Sequence, residues 1–119
     1  MAEHSTVNIH DLIRLASVPG IGPRKIRSLL AHFHDPTRVL AASARDLIRV
    51  AGIDRKLALA ILHHDGKEFA QDQLSRLNRI GGRVLTIWDP EYPDLLKRIF
   101  DPPAILYVLG NFTESDRRT

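Results

Sequence analysis

The sequence predicts a mainly α-helical protein that ends in a short β-α-β segment. Apolar residues recur at helical spacing through the first two thirds of the chain, and two similar glycine-containing turns interrupt them. Short runs rich in β-branched and aromatic residues appear only after residue 82. With 119 residues, 44% of them hydrophobic and 26% charged, the chain has the composition of an ordinary globular protein.

The first pair of predicted helices flanks a turn at residues 17–22. The segment 8–16 and the segment from Pro23 to Phe33 each carry an apolar stripe of helical period. Pro23 suits the first turn of the second helix, where its missing N–H is not needed. His34, Asp35 and Pro36 are expected to end that helix.

A second unit repeats this pattern after residue 43. Shifting the first unit by 32 positions, the separation of Gly20 and Gly52, places the turn at 19–22 on the turn at 51–54. The flanking apolar positions coincide as well, which indicates an internal duplication. Asp54 stands where the first turn has its second glycine, so we expect it to cap the following helix and repel phosphate. We interpret the second turn as structural.

The pattern changes after a third helical stretch, Lys67 to Ile80, which Gly81-Gly82 should stop. Residues 84–88 are predicted to form a strand and residues 92–100 a short helix. Residues 104–109 are apolar on both faces, as expected of a buried strand.

Composition and charge narrow the functional classes. The chain has no cysteine, which excludes disulfides and cysteine-bound zinc and suits a cytoplasmic protein. Neither a signal peptide nor an apolar run long enough for a membrane span is recognisable. The net charge is only +3, but the stretch from Gly20 to His34 contains three Arg or Lys residues and no Glu or Asp.

The first turn, Pro19-Gly20-Ile21-Gly22 after an apolar residue, resembles the hairpin of the helix-hairpin-helix family. The two copies together are similar to the paired, SAM-like helix-hairpin-helix bundle. The segment WDPEYPDLLKRIFDPPAILYVLGN resembles the part that precedes the Rossmann-like core in the DNA-processing protein family called DprA or Smf. It carries the matching positions Tyr92-Pro93, Leu95-Leu96, Ile99, Pro103, Ala104 to Leu109 and Gly110.

This resemblance implies a protein that binds single-stranded DNA in natural transformation and helps to load a RecA-type recombinase. It implies a paired helix-hairpin-helix domain at 1–66, a connecting helix at 67–82, the strand-helix-strand start of a Rossmann-like domain at 83–110 and a flexible tail at 111–119. The family's glycine-rich motif should follow Thr119. Because two short strands and a helix make no stable sheet alone, we expect that segment to be incomplete or completed in an oligomer, such as a homodimer.

The residues predicted to contact DNA lie in and after the first turn. Glycine allows close approach of a phosphate, and a helix start presents free N–H groups and a positive dipole end. We interpret Ile21 as an apolar plug that holds the hairpin to its own helices. The predicted DNA-binding residues are Gly20, Ile21, Gly22, Pro23, Arg24, Lys25 and Arg27. Alternatively, the turn only joins two helices, and the module is a protein-interaction platform.

Other polar residues carry weaker indications. His32, His34, His63 and His64 lack well-spaced partner ligands, so we expect solvated side chains rather than a metal site. Trp88 and Tyr92 could stack on a base, but packing beside apolar segments is favoured. No nucleophile with a base, metal set or phosphate loop is recognisable, so we expect a non-enzymatic protein without cofactor or metal.

Overall fold

The computed structural model describes residues 8–109, and the predicted tail at 111–119 lies outside this range. The described chain is mainly helical with one two-stranded sheet, as predicted. Its elements are α1 (Ile9–Ala16), α2 (Pro23–Phe33), α3 (Pro36–Ala41), α4 (Ala44–Ile48), α5 (Arg55–His63), α6 (Lys67–Arg79), β1 (Gly82–Thr86), α7 (Asp94–Lys97) and β2 (Ile105–Leu109). Within residues 8–109, no helix is both long and apolar enough to cross a bilayer.

Local signals set most helix boundaries. The Asn8 side chain caps α1 by accepting from the Asp11 amide at 3.0 Å. α2 begins at Pro23 and ends at Phe33, and the next residue, His34, caps it in the left-handed conformation at φ 70°. Gly81, also left-handed at φ 72°, follows α6 where the sequence predicts a stop.

The short helix α3, between the two hairpin units, is a feature that the sequence did not reveal. Asp35 and Pro36 end α2 as expected, but they also begin a new helix. The Asp35 side chain accepts from the Thr37 amide at 2.9 Å, and Pro36 occupies the first helical position. Val39 of this helix is fully buried, so α3 closes one side of the helical bundle.

One hydrophobic core unites the two duplicated units. Positions that coincide in the duplication, Leu15 with Leu47 and Val18 with Val50, are all buried in it. Ala104, immediately before β2, belongs to the same cluster. The C-terminal segment therefore packs directly on the helical bundle.

The two strands pair antiparallel, with Gly82 opposite Leu109 and Thr86 opposite Ile105. β1 ends two residues earlier than predicted because the Asp89 carboxylate turns the chain, accepting from the Thr86 amide at 2.7 Å. The predicted helix at 92–100 is shortened to α7.

The prediction that the last strand is buried on both faces is wrong. Val108 is buried, but Tyr107 is 47% and Leu109 70% exposed. Side chains alternate across a strand, so β2 has one covered face and one open face.

Asp11 links α1 to α3. Its carboxylate accepts hydrogen bonds from the Thr37 hydroxyl and, at 3.2 Å, from the Arg14 guanidinium. Burial alone would raise the pKa of Asp11, but the hydrogen bonds from Thr37 and Arg14 and the charge of Arg14 outweigh it and lower the pKa. The ionised form therefore stabilises the folded state above the unfolded pKa, and this contribution is lost as the pH falls through the lowered folded pKa.

We expect Asp11→Asn to lower the free energy of unfolding by about 1 to 2 kcal/mol near neutral pH. The difference from wild type should shrink as the pH falls from about 4, the ordinary carboxyl value, through the lowered pKa of folded Asp11, because the wild-type carboxyl becomes protonated over this range. Urea denaturation of both proteins near neutral pH and at low pH measures this difference in the free energy of unfolding. The control is Asp72→Asn in the exposed Asp72–Arg76 pair, which should cost less than about 0.5 kcal/mol. Equal costs for the two variants would contradict the prediction.

Candidate nucleic-acid interface

The first hairpin turn requires glycine at position 20 but not at position 22. Gly20 has φ +92°, in the left-handed region that side chains disfavour. Gly22 has φ −109°, which any residue adopts, and a Cβ placed there would have no atom within 4 Å. Between them, the Ile21 amide donates to the Val18 carbonyl at 3.1 Å, and the Ile21 side chain packs on the core. This packing agrees with the plug role predicted for Ile21.

The second hairpin repeats this backbone geometry. Gly52 has φ +89°, and the Ile53 amide donates to the Val50 carbonyl at 3.1 Å. Asp54, at φ −92° and ψ 179°, adopts nearly the conformation of Gly22, at φ −109° and ψ −178°. The duplication predicted from sequence therefore extends to the main chain.

The two hairpins lie against each other in an approximately two-fold arrangement. A side chain at Gly20 would meet Leu57 Cδ1 at 3.3 Å, and one at Gly52 would meet Lys25 Cε at 3.9 Å. Lys25 and Leu57 are equivalent positions of the duplication, so these two contacts are equivalent as well. The hairpins enclose a groove of about 450 Å³. It is lined by Pro19, Gly20, Lys25, Gly52, Asp54, Lys56, Leu57 and Ala60.

The two hairpins differ at the helix starts that follow them. At the start of α5, the Asp54 carboxylate accepts from the Leu57 amide at 2.8 Å, so the predicted cap is confirmed. At the start of α2, Gly22 has no side chain, and the amides of Arg24 and Lys25 have no hydrogen-bond partner among residues 8–109. Free N–H groups at a helix start attract anions. We call the amides of Arg24 and Lys25, with the space left by Gly22, the open helix start.

Two cations accompany the open helix start. Arg24 is exposed and Lys25 lines the groove between the hairpins. Neither side chain forms an ion pair within the described part of the chain. Lys56 lines the same groove and was not among the predicted site residues, although the duplication makes it the equivalent of Arg24.

Arg27 differs from the other predicted cations. One nitrogen of its guanidinium lies 3.0 Å from Asp101 Oδ1, and another donates to the Pro102 carbonyl. The side chain is thus bound to the segment before β2. The predicted contact of Arg27 with DNA stays a prediction.

Three of the aromatic and histidine candidates, Tyr92, His64 and His32, have structural partners. Tyr92 is buried, and its hydroxyl donates to the Pro103 carbonyl at 2.7 Å, as the packing interpretation predicts. His64 Nε2 lies 2.7 Å from Ser17 Oγ, so this ring is not simply solvated as expected. The His32 ring contacts Phe33 edge-on, with centroids 4.7 Å apart.

Residues 12–64 match the family described as the SAM-like helix-hairpin-helix tandem. The fold of these residues, two helix-turn-helix units with equivalent glycine turns, agrees with that match. The chain is also 30% identical over 95 residues to the protein Smf of Synechocystis sp. This alignment covers 80% of this chain and 24% of Smf. It is 52% identical over 48 residues to the UvrABC system protein C of Aromatoleum aromaticum, covering 40% of this chain and 8% of that protein.

A second UvrABC system protein C, from Prochlorococcus marinus, is 40% identical over 48 residues, or 40% of this chain and 7% of that protein. The chain thus spans less than a tenth of these two relatives and about a quarter of Smf. No solved structure matches the chain.

These similarities differ in extent. The tandem domain at 12–64 contains 53 residues, so the 48-residue alignments are no longer than the domain itself. The alignment of 95 residues with Smf must include residues outside the domain. The similarity to Smf therefore concerns more than the shared hairpins, which supports the resemblance seen in the sequence.

Proposed function

We propose that this chain is a non-catalytic DNA-binding module of a DNA-processing protein related to Smf. Its first hairpin grips the phosphates of single-stranded DNA without reading the base sequence. Within a cytoplasmic protein of natural transformation, this grip would assist the loading of a RecA-type recombinase. The observation that carries the proposal is the open helix start of α2, whose counterpart in α5 is occupied by the Asp54 carboxylate.

The chemistry of the grip follows from the donors present. A phosphate oxygen accepts from the amides of Arg24 and Lys25, and Gly22 leaves room for its approach. The positive end of the α2 dipole and the two side-chain charges add to the attraction. Contacts of this kind position the strand but do not distinguish bases. With roughly two to four phosphates bound, log affinity should fall against log salt with a slope of about −1 to −4.

We expect the double substitution Arg24→Ala, Lys25→Ala to weaken the binding of labelled single-stranded DNA by roughly tenfold or more at low salt. Each lost phosphate contact should also make the salt slope shallower by about 0.7. Fluorescence anisotropy titrations at several salt concentrations measure both quantities.

The matched control is Arg38→Ala, Arg45→Ala, which removes the same charge from exposed positions of α3 and α4 outside both hairpins. This variant should keep most of the affinity. Equal losses in the two double variants would show that only net charge matters and would remove the specific role of the first hairpin.

The second candidate function is a protein-interaction or scaffold module without direct DNA contact. It is favoured by exposed apolar side chains near α7, where Leu95 is 77% and Phe100 94% exposed. This candidate predicts that wild type does not bind single-stranded DNA even at low salt. The same anisotropy titration therefore decides between the two functions.

A further inference from the structure

A second groove, of about 180 Å³, adjoins the first hairpin. It lies between the region around the start of α2 and the segment that leads into β2. Its walls are mostly apolar side chains: Ala16, Ile21, Pro23 and Ile26 on one side, Pro103 and Ile105 on the other. Most of these side chains are only partly buried, so the groove is open to a ligand. We call it the apolar groove.

We propose that the apolar groove receives one unpaired nucleobase of the strand whose phosphate is bound at the open helix start. This inference rests on the proposed function and deepens it. It makes single-stranded DNA, rather than duplex DNA, the substrate class of the first hairpin.

The size of the groove suits one aromatic ring. A dry apolar cavity of about 150 Å³ admits benzene, so a groove of 180 Å³ admits the ring of a pyrimidine base but not a base pair. Covering the faces of an unstacked base with apolar side chains removes them from water, which is favourable. A base in a duplex would first have to be unpaired and unstacked, at a cost of a few kcal/mol.

The groove is continuous with the phosphate site. Gly22 and Pro23 line it, and the same two residues lead into the open helix start. Pro23 has no N–H, and the Pro103 carbonyl already accepts from the Tyr92 hydroxyl, so a base meets walls with few unsatisfied polar groups. A nucleotide held by its phosphate at Arg24 and Lys25 thus has an apolar surface beside it for its base.

The walls are held in place before any ligand binds. Arg27, on α2, binds Asp101 and the Pro102 carbonyl across the groove, and Tyr92 holds Pro103. Ala104, which lines the groove with Pro103 and Ile105, also belongs to the core cluster. A preformed groove requires little ordering when the base binds. This also gives Arg27 a role: it positions one wall of the groove.

The test compares oligothymidylate of about ten nucleotides with an abasic oligonucleotide of the same length, which keeps every phosphate and lacks every base. Anisotropy competition with wild-type protein should show the abasic strand binding about fivefold or more weakly, with an unchanged salt slope. A duplex of the same length should bind more weakly than oligothymidylate. Equal affinity for both single strands, or tighter binding of the duplex, overturns the inference and leaves the phosphate grip standing. Absence of binding to every probe overturns the proposed function and this inference together.

A variant locates the base in the groove. Ala16→Leu places a larger side chain at its wall and should bring the affinity ratio of thymidylate to abasic strand close to one, without changing abasic binding. Ala41→Leu is the control for a leucine added outside the groove: Ala41, like Ala16, is the last residue of its helix, but it is exposed, whereas Ala16 packs on the core. An unchanged ratio in folded Ala16→Leu overturns this placement. If that variant does not fold, the wild-type comparison of thymidylate with abasic strand still decides.

Discussion

Gly22→Asp is expected to abolish binding of single-stranded DNA at the first hairpin while leaving the fold intact. Position 22 has nearly the same backbone conformation as Asp54, and no atom lies within 4 Å of a Cβ placed there. The new carboxylate should accept from the Lys25 amide as Asp54 accepts from the Leu57 amide. It then occupies the donor that a phosphate needs and adds a repelling charge.

Binding and stability should therefore change in opposite directions. We expect affinity to fall by at least tenfold, since a phosphate contact is replaced by repulsion, whereas the new cap should add up to about 0.5 kcal/mol of stability over glycine. Anisotropy titration and thermal denaturation measure the two effects on the same protein.

Gly22→Asn separates the two causes of the binding loss. Asparagine caps a helix about as well as aspartate but carries no charge, so this variant should lose part of the affinity only. Full affinity in folded Gly22→Asp would mean that the phosphate does not lie at the start of α2, and the proposed grip would have to be abandoned.

The features of the fold that could be predicted from the sequence are local ones. The helix starts at Pro23 and after Asp54 depend on residues within one turn of each boundary. The same holds for the left-handed glycine of the first hairpin. The duplication was readable because each hairpin is held by apolar side chains at fixed separations, such as Leu15 and Val18.

What the sequence did not reveal depends on contacts between distant parts of the chain. Arg27 looks like its neighbours Arg24 and Lys25, but its partner Asp101 is 74 residues away, so no local pattern reports the pairing. The exposure of one face of β2 likewise depends on what packs against it, and an apolar run alone does not show this. The short helix α3 lacked the length over which helical periodicity becomes readable.

The candidate site also has one part that the sequence predicts locally and other parts that depend on distant contacts. The open helix start could be predicted from the sequence, because the duplication aligns Gly22 with Asp54 and only Asp54 has a side chain that can cap its helix. Neither groove could be predicted from the sequence, because each lies between segments that are distant in the chain. One lies between the two hairpins, and the other lies between α2 and residues 103–105. Lys56 lines a groove only because the two hairpins face each other in the fold.

The shared core makes a second strong prediction. Leu29, on α2, is fully buried in the cluster that also contains Ala104. We expect Leu29→Ala to lower the free energy of unfolding by about 2 to 5 kcal/mol, out of a total of about 5 to 15 kcal/mol for a domain of this kind. Urea denaturation followed by far-ultraviolet circular dichroism measures the loss. Leu59→Ala is the matched control, since Leu59 is partly exposed on α5 and should cost less than about 1 kcal/mol.

The single tryptophan, Trp88, makes the same experiment informative about the C-terminal segment. It follows β1 and lines a groove with Leu30 and Ala31 of α2, so its fluorescence reports the contact between this segment and the bundle. Because Ala104 lies in the common core, fluorescence and circular dichroism should give the same midpoint, both in wild type and in Leu29→Ala. A separate, earlier fluorescence transition would show that residues 82–109 unfold independently of the bundle. One wall of the apolar groove would then be lost before the hairpins unfold, and the base should lose its site under conditions in which the phosphate grip persists.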